Sequence, residues 1–193
     1  MPIFLIGFIV LVFVVPSVRV YKQTGINPFR FATKHNEAHD YIGATMKVFI
    51  LLLLIAVLIY SFSTTVYDYL APFEYLEQQY LKLAGLIIGH VSLIGIVVAQ
   101  RQMRQSWRIG IDYEHKTDLI SSGLFAKSRN PIFLFLLFSL AGLFLVLPNA
   151  ITLAVLFSAY IVLQITMRLE EDFLMKQHGE QYLTYKKKVA RLI

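Results

Sequence analysis

The strongest constraint on this chain is a set of long apolar runs with almost no charge inside them. "VFILLLLIAVLIY", directly after Lys47, holds no charged residue. About 20 apolar residues in a helix, rising about 1.5 Å each, cover the ~30 Å hydrocarbon core of a bilayer. Within that core each backbone N–H and C=O must be bonded inside its own segment, so the runs must be helices. They fall at residues 3–18, 46–67, 80–99, 132–147 and 150–167. The chain therefore predicts an all-α, polytopic membrane protein of about five transmembrane helices. Its 193 residues, 57% of them hydrophobic, are expected to form a single integral membrane domain. The first run lacks a basic n-region and a small-residue cleavage site, so it is expected to remain as a span, closed by Pro16, Arg19 and Lys22.

The net charge is +6, and the cations cluster at the ends of the runs. That pattern points to topology and membrane lipids as partners, not to nucleic acid. The first loop carries Arg19, Lys22, Arg30, Lys34 and Lys47, the polar stretch 100–129 carries Arg101, Arg104, Arg108, Lys116, Lys127 and Arg129, and the tail carries Lys186, Lys187, Lys188 and Arg191. The loop 68–79 instead has Asp68, Glu74 and Glu77 and no Lys or Arg. Positive charge stays on the cytoplasmic side, so the N-terminus is expected outside and the C-terminus inside.

The fourth and fifth runs are short and separated only by Pro148-Asn149, a turn signal. They read as a helical hairpin over 131–167 that tilts or barely crosses. Its ends should meet at the cytoplasmic face, setting Arg129-Asn130-Pro131 beside Arg168-Leu169-Glu170-Glu171. Proline suits the first turn of a helix, whose N–H groups lack partners and carry partial positive charge. With Arg129 added, that spot favours a carboxylate or phosphate, although topology plus a helix start would account for the same residues. Arg168, Glu171 and Asp172 have the spacing of helical ion pairs. Coming straight after a span, these charges are most economically placed in a polar, protein-lined cavity.

Several chemistries are excluded or weak. The absence of cysteine removes disulfides, thiolate metal sites and a cysteine nucleophile. There is no P-loop and no GxGxxG. His35 and His39 share a helical face, but "HNEAH" lacks the zincin order, and no metal is assigned. "GLIIG" at 85–89 lets helices approach closely, and His90 beside it reads as structural unless it finds an intramembrane partner. Trp107, in "RQMRQSWRIG", has an interfacial reading and a reading as part of a site.

In order along the chain, "SWRIGID", "TDLISSGLFAKSRNPIF" and "RLEEDFLMKQHGEQYLTYKKKVARLI" resemble the isoprenylcysteine carboxyl methyltransferase family, in a prokaryotic-type form. The ordered signature is Gly-x-(Phe/Tyr), Arg-x-Pro, Glu-Glu and Gly-x-x-Tyr-x-x-Tyr, within residues 106–191. The resemblance implies a membrane methyltransferase using S-adenosyl-L-methionine in a cytoplasmic-face pocket, with a lipophilic or prenylated substrate arriving from the bilayer. It implies cofactor contacts from Trp107, Thr117, Asp118, Leu119, Ile120, Gly123, Phe125, Arg129, Asn130, Pro131, Ile132, Phe133 and Glu171. It also implies Arg168 and Glu171 as catalytic residues, with Arg168 facing a substrate carboxylate, and makes 100–193 the catalytic region.

Asn130 stands where many eukaryotic members have histidine. It keeps hydrogen-bonding capacity but does not titrate near neutral pH. A carboxylate acceptor is already ionised at pH 7 and needs alignment and desolvation more than a base. An amine or phenol acceptor would need a base, for which Glu170, Glu171 and His115 are the candidates. The other readings are a phospholipid N-methyltransferase-like enzyme, an NADPH-dependent membrane reductase and a non-enzymatic lipid-binding protein.

Overall fold

The computed structural model describes residues 1–30 and 37–193. His35 lies outside the described residues, as does the side chain of His39. Four helices are long and apolar enough to cross a membrane: α1 (Pro2–Thr24), α2 (Glu37–Phe62), α3 (Gln79–Met103) and α5 (Ala150–His178). Between the last two lies α4 (Pro131–Val146), apolar but only 16 residues, about 24 Å, long. A surface helix, α6 (Glu180–Lys188), follows α5 after Gly179, whose φ of +53° breaks the helix. The described residues form no strands, only two isolated bridges.

Pro16 does not close α1. A proline removes the bond to the carbonyl four residues earlier and pushes against it. Here the strain is taken up by a π-helical turn at Val10–Val14, and the freed Val12 carbonyl accepts from Gln100 Nε2 of α3 at 2.8 Å. Gln100 is buried, and Ser17 adds a hydroxyl bond to the Phe13 carbonyl. The helix therefore continues to Thr24, where Gly25 ends it with a left-handed φ of +69°.

The glycines of "GLIIG" serve packing within the chain. A Cβ on Gly85 would stand 2.5 Å from the Gly142 carbonyl of α4, and one on Gly142 would stand 2.7 Å from the Gly85 carbonyl. Backbone thus meets backbone between α3 and α4, the approach that small residues permit in lipid. One turn and a half along, Gly95 accommodates the Phe135 ring. His90 is exposed, its Nδ1 2.7 Å from the Leu86 carbonyl and its ring 4.7 Å from that of Phe4.

The turn between α4 and α5 is tightly held. Asn149 and Thr152 form a reciprocal capping box, and the loop below α2 is stitched on through Phe73 N–H to the Pro148 carbonyl (2.7 Å) and Ala150 N–H to the Leu70 carbonyl (3.1 Å). One expectation needs correcting. The fifth run does not stop at 167, because "MRLEEDFLMKQH" continues the same helix to His178. α5 is 29 residues, about 43 Å, long, so its polar third projects beyond the end of α4.

Candidate functional site

The basic segments gather at the end of the bundle opposite Pro148. There Glu171, 3% exposed, forms the hub of a cationic cluster. Its oxygens take Arg129 Nη2 at 2.8 Å, Arg191 Nε at 2.8 Å and Nη2 at 3.0 Å, and Lys186 Nζ at 3.4 Å. The hairpin geometry brings Arg129 and Glu171 together as expected, across 42 positions of sequence. The expected pairing of Glu171 within its own helix gives way to these three cations from outside α5.

The tail completes the cluster. Residues 189–191 lie over the start of α4: Arg129 N–H donates to the Ala190 carbonyl (2.9 Å), and Ser128 Oγ and Asn130 Nδ2 donate to the Arg191 carbonyl (3.3 and 3.1 Å). Arg129 Nη1 donates to the Lys186 and Val189 carbonyls at 3.1 and 2.5 Å. Asn130 does not cap α4 with its side chain. Tyr182 and Tyr185, three apart on α6, are both buried, and the Tyr185 hydroxyl donates to the Phe125 carbonyl at 2.6 Å. Burial pushes the Tyr185 phenol up to about 12, so it stays a protonated donor. Gly123 has φ +64°, and a Cβ there would meet the Gln102 side chain, whose Oε1 accepts from Leu124 N–H at 2.9 Å. Phe125, Arg129, Glu171 and Tyr185 of the signature thus take part in one clasp joining loop 123–130, the end of α5 and the tail, while Gly123 fits against Gln102 of α3.

Beside the clasp, on another face of α5, opens a cavity of about 640 Å³. One wall is Tyr113, Glu114, His115 and Lys116; the other is Leu169, Asp172, Phe173, Lys176 and Gln177 of α5, at helical spacing. The Tyr113 and Phe173 rings meet edge to face at 5.3 Å. Thr117 sits at the rim, its hydroxyl 3.4 Å from Gln177 Oε1. Asp118 N–H is held by Ser106 Oγ at 3.1 Å. Trp107 is buried below this loop, Leu119 and Ile120 are half-buried, and Pro131 is fully buried. Ile132 packs on Phe8, Val12 and Ile96 in the bundle core, and Phe133 is half-buried next to it. Arg168 is exposed, with Nη1 3.5 Å from the Gln164 carbonyl. Of the charges after the fifth run, expected in a polar protein-lined cavity, Glu171 is buried in the clasp and Arg168 is exposed. Glu171 itself does not line the cavity.

A second cluster, not foreseen from sequence, supports the first cavity wall. Asp112, 4% exposed, has Arg30 Nε and Arg108 Nε each 3.2 Å from Oδ2, while its Oδ1 accepts from the Glu114 and His115 N–H groups. Burial alone would raise the Asp112 carboxyl; bonds from His115, Arg108 and Glu114 and the Arg30 charge outweigh it and hold it below the ordinary carboxylate value. Asp112, Glu114 and His115 bring ligand-type atoms within 4.8 Å of one another, but two guanidinium groups already neutralise the set.

A basic-ended bundle of apolar helices, with a signature clasp and an open cavity beside it, defines an all-α polytopic integral membrane protein. The chain belongs to the family described as "Protein of unknown function (DUF1295)", which matches residues 9–189. Its fold is similar to a solved structure of the eukaryotic intramembrane Ras methyltransferase, isoprenylcysteine carboxyl methyltransferase, with a TM-score of 0.62 over 97% of this chain at 15% identity. The chain spans 64% of that protein's length. No curated protein matches it in sequence. The resemblance carried by the signature is thus borne out in the fold.

Proposed function

We propose that the chain is an S-adenosyl-L-methionine-dependent methyltransferase that acts on a lipophilic acceptor at the cytoplasmic face of the membrane, with its N-terminus outside. The observation that carries this reading is the 640 Å³ cavity beside the Arg129–Glu171 clasp. Its volume lies in the range of small-molecule sites, about 300–1,000 Å³.

The lining suits that cofactor. Tyr113 and Phe173 offer aromatic surface for a purine, Glu114 and Asp172 offer acceptors for ribose hydroxyls and an ammonium group, and Lys116 and Lys176 offer charge for a carboxylate. Bound there, the cofactor supplies a methyl group already activated on a sulfonium. The protein's task is then to orient the acceptor and exclude water. Arg168 precedes Leu169 on α5, at the boundary between the apolar helix and the cavity. Its planar guanidinium is suited to pair with a carboxylate whose apolar tail remains in lipid. A carboxylate of the prenylcysteine type fits this best, and a phospholipid amine is the alternative acceptor. Glu171 serves as anchor of the clasp that fixes the end of α5.

Calorimetric titration of the detergent-purified protein with S-adenosylhomocysteine, with NADPH in parallel, tests this. Expected is micromolar binding of S-adenosylhomocysteine that weakens about tenfold in Asp172→Asn, the size of one charge-assisted bond. Binding of NADPH alone would move the chain to the reductases. A folded protein that binds neither would make it a non-enzymatic lipid-binding protein.

A further inference from the structure

We propose that Arg30, in the connection between α1 and α2, is a positioning residue for the cavity and holds the 112–116 wall in its ligand-ready shape. The proposal rests on the cavity being the ligand site described above. At the level of sequence Arg30 is one topology cation among several, far from the signature.

The geometry points to a more specific role. The Arg30 side chain is only 12% exposed and spreads over three consecutive parts of the wall. Nε stands 3.2 Å from Asp112 Oδ2, an ion-pair approach without hydrogen-bond alignment. Nη1 donates to Glu114 Oε2 at 2.9 Å, and Nη2 lies 2.9 Å from His115 Nδ1. The backbone is pinned as well: Arg30 N–H donates to the Ile109 carbonyl and Ile109 N–H to the Pro28 carbonyl, both at 2.9 Å, in a parallel bridge. Two of the side chains held by this guanidinium, Glu114 and His115, line the cavity. Residues 112–118 carry no helix or strand, so side-chain bonds must supply the order that secondary structure supplies elsewhere. A planar fork with five donors can hold several acceptors at fixed mutual angles; a lysine ammonium cannot.

The arrangement also separates binding from positioning. Arg30 does not line the cavity, so its loss removes no ligand contact. It frees Glu114 and His115 to leave their places, and the ligand must then order them on binding, which lowers affinity. The effect should appear as a looser loop and weaker binding in a bundle that is otherwise intact.

The test uses the full chain in detergent as wild type, Arg30→Met and Arg30→Lys. Hydrogen exchange of the 109–116 amides is read beside S-adenosylhomocysteine affinity. Arg30→Met should speed exchange in that loop about tenfold or more and weaken binding about tenfold, the loss of one charge-assisted bond, while α3 and α4 amides keep their protection. Arg30→Lys should recover part of both, because one ammonium can still reach one carboxylate. Unchanged loop exchange in Arg30→Met overturns the proposal, and so does a loosened loop with unchanged affinity. Faster exchange throughout the bundle also counts against it, since that is the mark of a general stability role. If Arg30→Met does not fold, Arg30→Gln replaces it, with the same two readouts deciding, since Arg30 itself does not line the cavity. If the wild type binds no S-adenosylhomocysteine, the functional reading fails, and the exchange data alone decide whether Arg30 holds the loop.

Discussion

Glu171→Gln is the most informative single change, because the structure assigns that carboxylate a stability role whose size can be worked out. The side chain is nearly isosteric, so packing is preserved and only charge and one acceptor are lost. Glu171 and Arg129 are 3% and 9% exposed as side chains, while Arg191 and Lys186 are 31% and 34% exposed. Removing one member of a buried pair costs about 3–5 kcal/mol. The two outer cations recover water and behave nearer to surface pairs, worth about 0–1 kcal/mol each. Arg129 keeps the Lys186 and Val189 carbonyls, which lowers the penalty of leaving its buried charge without a carboxylate. The balance is about 2–4 kcal/mol, and at about 2–4 °C per kcal/mol for a chain of this size the melting temperature should fall by about 5–15 °C. Thermal unfolding in one detergent, followed by circular dichroism, measures it. Arg191→Ala should cost only about 1 kcal/mol, because that residue is partly solvated. Replacing the inner pair together, Arg129→Met with Glu171→Leu, should cost less than Glu171→Gln alone, since no buried charge is left without a partner. A melting temperature for Glu171→Gln within about 2 °C of wild type would refute the description of Glu171 as the hub of a buried clasp.

Two further outcomes follow from the packing and the second cluster. Gly85→Leu should abolish the monodisperse folded species in size-exclusion chromatography, because its Cβ alone would lie 2.5 Å from the Gly142 carbonyl, whereas Gly7→Ala, where a Cβ meets nothing within 4 Å, should be neutral or stabilising by up to about 1 kcal/mol. Asp112 has a folded pKa below its unfolded value, so its contribution is present above about pH 4 and is lost as the pH falls through the folded value; the melting-temperature gap between wild type and Asp112→Asn should therefore narrow as the pH falls below about 4, and a gap that widens there would invert the sign.

The membrane class and the apolar runs were legible because lipid imposes length and hydropathy on each segment separately. The meeting of Arg129 with Glu171 was legible for a related reason: a two-residue turn leaves a hairpin little choice about where its ends go. Pro16 was misread because the Val12 carbonyl it frees is taken up by Gln100, 88 positions from Val12 on another helix. The length of α5 was misread because hydropathy marks where lipid ends, not where the helix ends; "RLEEDFLMKQH" lacks apolar character but is free of glycine and proline, and runs on to Gly179. Arg191 and Lys186 carried a usable signal, since a carboxylate placed straight after a span needs cations and the tail supplies them. Arg30 and Asp112 carried none. Their pairing joins two irregular segments, and irregular segments have no periodicity from which a partner can be read.

The division between clasp and cavity bears on what the shared signature means. Phe125, Arg129, Glu171, Tyr182 and Tyr185 are linked pair by pair, so each constrains the others and a single replacement disturbs buried polar groups. The cavity walls at 113–116 and along the outer face of α5 take no part in the clasp: Glu114 and His115 are held by Arg30, and Tyr113 packs on Phe173. A chain can therefore keep the clasp while changing what the cavity accepts. On this argument the signature identifies the frame on which the end of α5 is held; under the proposed function, Asp172, Lys176 and the loop that Arg30 supports bear on the cofactor, and Arg168 bears on the acceptor. Replacing Asp172 or Lys176 should then weaken S-adenosylhomocysteine binding and replacing Arg168 should move acceptor preference, whereas replacing clasp residues should move stability alone.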